Sequence, residues 1–290
     1  MSKAASVVGS VVCLWRYPVK SMMGEKLAAT DISEQGIVGD RAYALIESAT
    51  GKVVSAKNPR KWAKLFDFHA AFADSPTTNN IPPVEITLPD GTKLSSEQDN
   101  TNEMLSSVLG REVILASTAP PQPSLEEYWL DIEGLPHRET VTDLLKTPPN
   151  GGYPRTGVSA EKIPAGSFFD LATVHLLTTA TIEHLQELSP SGRFEMRRFR
   201  PNIEIAPTAS NTFIENDWIE RTIAIGEQVR IHITSFCPRC VMTTLPQGDL
   251  PNDPNILKTA VQHNHGNVGV YASVIQSGTI RCGDSIQILD

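Results

Sequence analysis

Short runs of valine, isoleucine and other β-favouring residues, repeatedly cut off by glycine, proline or an Asp-Gly pair, constrain this chain most. Val7 to Trp15 reads as a buried strand, and Arg41 to Ile46 alternates. Val84 to Leu88 and Lys93-Leu94 flank Asp90-Gly91, a hairpin signature. Ser96 followed by Asp99 to Leu109 and a stop at Gly110 predicts a helix, after which Arg111 to Leu115 returns as a strand. In the second half, Thr173 to Leu177 is a strand, and Thr181 to Leu188 is a helix with Ile182, Leu185 and Leu188 on one face. Strands follow at Asn202–Ile205, Ile223–Ile225, Val229–Thr234, Val268–Ile275 and Ser285–Leu289, with turns at Gly226-Glu227 and Ser277-Gly278. Many short strands and few helices predict a mainly β fold with some α, arranged as two β-barrel-like domains.

Two stretches rich in Pro and Gly, 118–125 and 147–157, bracket a domain junction, so the expected domains are 5–118 and 135–290. The 290 residues give each enough material for its own core at about 150 residues per domain. A net charge of -8 argues against a general nucleic-acid surface. No apolar stretch approaches the roughly 18–20 residues of a membrane span. Residues 1–24 carry Lys3, Arg16 and Lys20 and no acid, but no small-residue cleavage site follows. The expectation is a soluble, cytoplasmic chain with no organellar targeting. Four cysteines are too few for a disulfide scaffold of this size, so the thiols are expected to be reduced.

Cys237-Pro-Arg-Cys240, just after a strand, is the most informative chemical feature. A thioredoxin-like site would start a helix there, but Val241-Met-Thr-Thr-Leu-Pro246 is β-branched and ends in proline. A zinc site would need two more ligands, and only His263 and His265 lie near in sequence. Two semi-buried structural cysteines are a third reading. A fourth is one thiolate on a soft, redox-active metal with Arg239 holding an anion beside it. Arg197-Arg198-Phe199-Arg200-Pro201-Asn202 crowds three guanidinium groups at the start of a strand, where alternation would send Arg198 and Arg200 to one side. Lys20-Ser21 and Gly39-Asp40-Arg41 add further charge at strand ends. Each could be a solvated surface group; together they describe a basic pocket in an acidic chain, suited to a phosphate-bearing cofactor. His69, His175 and His184 read as packing or surface groups, and Cys13 and Cys282 as buried thiols. No Gly-x-Ser-x-Gly elbow, P-loop or dinucleotide fingerprint is present.

Tyr17-Pro-Val-Lys-Ser21, Gly39-Asp-Arg41, Arg198-Phe-Arg-Pro-Asn202, Cys237-Pro-Arg-Cys-Val-Met-Thr-Thr244, Gly269-Val-Tyr-Ala272 and Gly278-Thr-Ile-Arg-Cys-Gly-Asp284 stand in the order found in MOSC proteins. The chain resembles the group with an extra N-terminal β-barrel, which includes the mitochondrial amidoxime-reducing component. The resemblance implies a MOSC-N type domain over 5–118 and a MOSC barrel over 135–290. It also implies a molybdenum cofactor between them, and not pyridoxal phosphate. By the same resemblance Cys240 is the metal ligand and catalytic thiolate. The resemblance also implies that Lys20, Ser21, Arg41, Arg200 and Asn202 hold the pterin and its phosphate, and that Arg198 belongs to the cofactor-binding set. Pro238 and Arg239 flank the ligand, and Ala172 offers a backbone amide where relatives often have hydroxyls.

The activity implied is reduction of N-hydroxylated compounds such as amidoximes and hydroxylamines, by oxygen-atom transfer to molybdenum. No four-cysteine iron–sulfur pattern follows the second domain, so a separate haem, flavin or iron–sulfur protein is the expected electron donor. Two other functions fit the same family. One is a sulfur carrier using a persulfide on Cys240 for metal–sulfur assembly; the other is a non-catalytic module that binds the molybdenum cofactor.

Overall fold

The computed structural model describes residues 6–121, 123–126, 128, 167–209 and 212–289. Sixteen strands are described: β1 Ser6–Arg16, β2 Glu25–Leu27, β3 Ala29–Ser33, β4 Gly36–Ile37, β5 Ala44–Glu47, β6 His69–Phe72, β7 Val84–Thr87, β8 Lys93–Ser95, β9 Val113–Ala116, β10 Val174–Thr178, β11 Ile203–Pro207, β12 Thr222–Ile225, β13 Val229–Pro238, β14 Asn267–Gln276, β15 Gly278–Arg281 and β16 Ser285–Ile288.

Seven of them close a barrel in the order β11-β10-β14-β13-β12-β16-β1, with β1 returning to pair with β11. Closure leaves no edge among the seven, and β2 adds to β1 outside the ring. All neighbours are antiparallel except β10 and β11, whose parallel pairing needs a crossover. The helix Thr179–Leu188 and the turn Met196–Phe199 supply it. The helix is capped by Thr178, whose hydroxyl accepts from the Thr181 amide. Alternation does the rest: β13 buries every second residue, and Ile231 and Ile233 meet Val11, Leu176, Ile203, Ile223, Val270 and Ile286 inside the barrel.

The other body gathers β5–β9, the sheet β6-β7-β8 and the helix Thr101–Leu109 around Val19, Trp62, Phe66, Phe68 and Ile86. Gly110 ends that helix in the left-handed conformation at φ 68°, as the sequence predicts. Val241 and Leu245, just past the Cys237–Cys240 pair, pack into this second core, so the cysteine-bearing segment bridges the two bodies.

The strand pattern of the sequence holds, with ends that move by a residue or two, except that β5 starts three residues later than expected and β13 runs four residues further. Pairing nevertheless crosses the expected division twice: β1 lies in the barrel, and β3 pairs with β15. The loop expected at 147–157 lies outside the described residues. A helix, Asn255–Asn264, and the short strands β2, β3, β4, β6 and β15 were not expected. The segment after Cys240 does coil, as a single 3-10 turn over Val241–Thr244, too short for a thioredoxin-type helix.

One glycine is indispensable to the packing of β10 on β14. Gly269 has φ +82°, and a Cβ there would stand 2.4 Å from His175 Nε2 and 2.5 Å from the Leu176 carbonyl oxygen. Gly269→Ala is expected to cost about 2 kcal/mol or more, read as a lowered urea midpoint at unchanged m-value.

Candidate cofactor site

The loop Tyr17–Gly24 leaves β1 at the barrel rim. Gly24 lets it turn back, because a Cβ there would lie 2.2 Å from the Arg16 carbonyl oxygen. Lys20 and Ser21 sit on this loop, both buried. Lys20 Nζ donates to the Phe168 carbonyl (2.7 Å) and pairs with Asp170 (2.5 Å), which Lys57 also meets at 3.3 Å. Burial pushes the Lys20 ammonium below its usual range, and Asp170 opposes that. Burial alone would raise Asp170; Lys20 and Lys57 outweigh it and hold the carboxylate low. Ser21 Oγ accepts from the Ala56 amide at 3.1 Å.

Arg41 follows β4 in the turn that begins at Val38. It pairs with Asp40 and lies over the rings of Tyr17 and Phe169, each 5.4 Å away. Asp40, fully buried, also accepts from the Tyr17 amide (2.7 Å) and Asn202 Nδ2 (2.9 Å). The Arg41 guanidinium is held above its ordinary range, burial opposing and Asp40 prevailing.

Arg200 caps the turn Met196–Phe199 in the left-handed conformation and stacks 4.0 Å above the Tyr17 ring. Its Nη1 donates to the Met22 carbonyl at 2.7 Å, while its buried Nη2 has no partner among the described residues. Burial lowers it to about 10, with nearby Tyr17 opposing the shift. Arg239 donates from Nη1 to Cys237 Sγ (2.6 Å) and from Nη2 to the Phe199 carbonyl (2.7 Å); its buried Nε is likewise unpartnered. Cys237 is completely buried and its thiol is pushed up by that burial, against the pull of Arg239. Cys240, two residues beyond the end of β13, is half-buried. It is close enough to Arg239 and Cys237 to enter the electrostatics of both.

These residues converge. Arg200 interacts electrostatically with both Arg41 and Arg239, Tyr271 lies within reach of Arg41 and Arg239, and Asp170 reaches Lys20, Arg41 and Tyr271. Lys20 and Lys57 meet Asp170 and Arg41 meets Asp40, whereas Arg200 and Arg239 contact no carboxylate among the described residues. A buried guanidinium with an open donor is costly unless something anionic meets it. Backbone strain marks the same place. Among the described residues five non-glycine residues have positive φ, and Ser21, Arg41 and Arg200 are three of them, at 64°, 50° and 53°.

The structure places the other expected site residues as follows. Asn202 spends its side chain on the His175 amide, Asp40 and the Trp15 carbonyl, so it binds the framework together. Ala172 is half-buried just before β10, and Pro238 is exposed opposite Asn267. Arg198 departs from the sequence reading. Strand alternation does not apply, because Met196–Phe199 is a helical turn. The Arg198 side chain therefore runs away from Arg200, to the carbonyls of Arg193, Thr243, Leu245 and Pro251, with no exposed surface. No group of His, Cys, Asp and Glu among the described residues could hold a metal by itself. His263 and His265 close the helix Asn255–Asn264 instead.

Sequence reasoning passed over Tyr17, Asp40 and Tyr271, although each lies in a quoted motif, and Asp170, which lies in none. A cavity of about 730 Å3 opens beside Arg41, lined by Gly36, Ile37, Tyr43, Ile81 and Phe169 among others. Cys240 is not part of its wall.

Fold and site define a class: a closed β-barrel with a cationic pocket at its rim and a cysteine beside it. Residues 164–287 match the MOSC domain, and residues 8–66 match the MOSC N-terminal beta barrel domain. The chain belongs to the MOSC-domain family, in the form that carries this N-terminal domain. Among its relatives, mitochondrial amidoxime reducing component 2 of Rattus norvegicus is 23% identical over 316 residues, covering 96% of this chain and 83% of that protein. The protein of the same name from Homo sapiens is 23% identical over 299 residues, with the same coverage. Among solved structures, the YUAD protein from Bacillus subtilis covers 97% of this chain and 95% of its own at 10% identity and TM-score 0.45. No helix among the described residues is long and apolar enough to cross a membrane.

His175 gives a pH test of the site's floor. Its ring lies between the carbonyls of Arg200 (3.4 Å) and Val268 (3.2 Å), and burial, reinforced by Arg239, pushes it well below the usual histidine range. The folded state keeps it neutral, while the unfolded chain takes up a proton below about pH 6.5. Stability must therefore fall as pH drops through that value, by up to about 1.4 kcal/mol per pH unit. Urea unfolding at pH 7.5, 6.5 and 5.5 is expected to show this slope in the parent and lose it in His175→Gln.

Proposed function

We propose that this chain is a molybdenum-cofactor-dependent reductase of N-hydroxylated compounds, with Cys240 as the protein ligand to the metal. One observation carries the reading: buried Arg200 and half-buried Arg239 each hold a buried donor with no partner among the described residues, and Arg239 stands next to the half-buried Cys240 thiol. That donor set fits a group with a phosphate and a soft metal. Arg200 Nη2 and Arg239 Nε would meet anionic oxygens, and Lys20 retains one ammonium hydrogen beyond its two bonds. The Ser21 hydroxyl, which only accepts at present, is free to donate. The half-buried Cys240 thiol, just past β13, would be the soft donor. The names of relatives support the same chemistry.

When bound, the cofactor supplies two-electron removal of oxygen from an N–O bond. The chain's own contribution is charge neutralisation and orientation. Arg41, held over the rings of Tyr17 and Phe169, lines the cavity in which a substrate would bind. Tyr17 sits between Arg41 and Arg200 and keeps both guanidinium groups in place without neutralising them. Electrons would come from a separate haem, flavin or iron–sulfur protein.

The test is elemental analysis with pterin fluorescence on protein from a host that makes the cofactor. It is followed by turnover of an aryl amidoxime with a chemical reductant. The parent is expected to carry near-stoichiometric molybdenum. Cys240→Ser should lose it by about tenfold or more, and Cys237→Ala much less. Equal molybdenum in parent and Cys240→Ser would overturn the ligand assignment. A metal-free parent with labile sulfur on Cys240 would replace the reading with a persulfide carrier.

A further inference from the structure

Arg198 is among the largest fully buried side chains of the protein, yet no carboxylate contacts it among the described residues. All three of its nitrogens donate to main-chain carbonyls instead. Nε goes to Arg193 (2.8 Å), Nη1 to Thr243 and Leu245 (3.2 Å each), and Nη2 to Pro251 (2.9 Å). Thr243 and Leu245 belong to the 3-10 turn that starts at Cys240 and to its cap. Thr243 in turn binds the Cys240 carbonyl twice, through its amide (3.2 Å) and its hydroxyl (3.1 Å). A two-bond path thus joins the Arg198 guanidinium to the backbone of Cys240.

The opposite end of Arg198 is equally informative. Its own turn, Met196–Phe199, offers the Phe199 carbonyl to Arg239 Nη2 and ends in Arg200. Within three consecutive residues, one side chain grips the thiol-bearing turn, one carbonyl orients Arg239, and one side chain reaches into the pocket. Outside this hub the same segments are clasped again at the surface: Arg193 and Arg197 both bind Asp249 and Glu195. The planar fork of guanidinium suits this task, because four carbonyls at fixed angles exceed what a single ammonium can serve.

We propose that Arg198 is a positioning residue that sets the Cys240 thiol in register with Arg200 and Arg239, a role that rests on Cys240 being the cofactor's ligand. It touches neither thiol nor ligand. It acts by fixing the carbonyls of the turn, so that the sulfur and the two open donors face one space.

The test uses the intact chain in two forms. In cofactor-free protein, from a host without cofactor synthesis, iodoacetamide labelling and peptide mass spectrometry give the alkylation rates of Cys240 and Cys237. In protein from a cofactor-producing host, molybdenum per folded chain is measured. Arg198→Gln is expected to lower the Cys240-to-Cys237 rate ratio by about tenfold or more, as the buried thiol opens, and to lower molybdenum by a similar factor. Arg198→Lys should recover part of both, which a role in overall stability alone would not require at temperatures well below unfolding. A folded Arg198→Gln with both readouts close to the parent's overturns the proposal. If Arg198→Gln does not fold, amide exchange at Thr243 and Leu245 in Arg198→Lys decides, and exchange at the parent's rate overturns it. Should the parent retain no molybdenum, the cofactor reading falls, while the labelling ratio still decides whether Arg198 positions Cys240.

Discussion

Asp40 is the point on which the rest of this structure depends. Its buried carboxylate accepts from the Tyr17 amide at the end of β1, from the neighbouring Arg41 guanidinium, and from the Asn202 side chain just before β11. Three segments far apart in sequence therefore meet on one negative charge. Removing one partner from a buried, hydrogen-bonded pair costs about 3–5 kcal/mol, because the other charge is left bare. Here the loss would also free Tyr17, and Tyr17 is the surface on which Arg200 lies. Arg200 and Arg239 stay unneutralised because their supports are neutral: the Tyr17 ring, the Cys237 thiol and the carbonyls of Met22 and Phe199. Asp40 anchors the first of them.

The strain at Ser21, Arg41 and Arg200 fits this picture. Each left-handed non-glycine residue costs on the order of 1 kcal/mol, and such residues persist only where the surroundings over-determine them. The surroundings do so here. Ser21 is tied to Ala56, Arg41 N to the Tyr17 carbonyl, and Arg200 N to Met196. The stored energy sits in the residues whose side chains define the pocket, as expected when geometry serves a ligand more than the fold.

How much of this the sequence disclosed depends on the range of the interaction. Strands such as Val229–Thr234 were legible because period-two burial is a local property. The pairing of β1 with β11 and β16 was not, since no local pattern says which distant strand completes a ring. The Arg197–Arg200 run was misread for a related reason: alternation presumes a strand, and a left-handed cap at Arg200 reverses the directions that alternation assigns. The helix Asn255–Asn264 hid behind Pro251 and Pro254, whose loop signal masked Ile256, Leu257, Ala260 and Val261. Lys20, Arg41, Arg200 and Arg239 stood out as bases in an acidic chain. Asp170 stood in a stretch without period or motif, and only the folded contact with Lys20 gives it meaning.

Barrel closure by the first strand carries a consequence for how the chain is made. Ser6 pairs with Ile288, so everything between these two residues must be synthesised before the ring can shut. At roughly 5–20 residues per second, β1 waits on the order of tens of seconds with its pairing groups open. Most of the second body escapes that delay, because its strands β5 to β9 and its helix lie close together in sequence, and only Val241 and Leu245 join its core late. Vectorial synthesis thus favours an order in which the aromatic core around Phe66 and Phe68 assembles first and holds the Tyr17–Gly24 loop. The ring then closes last, bringing Arg200 and Arg239 to cations already in place, so the pocket is completed by the final step of folding.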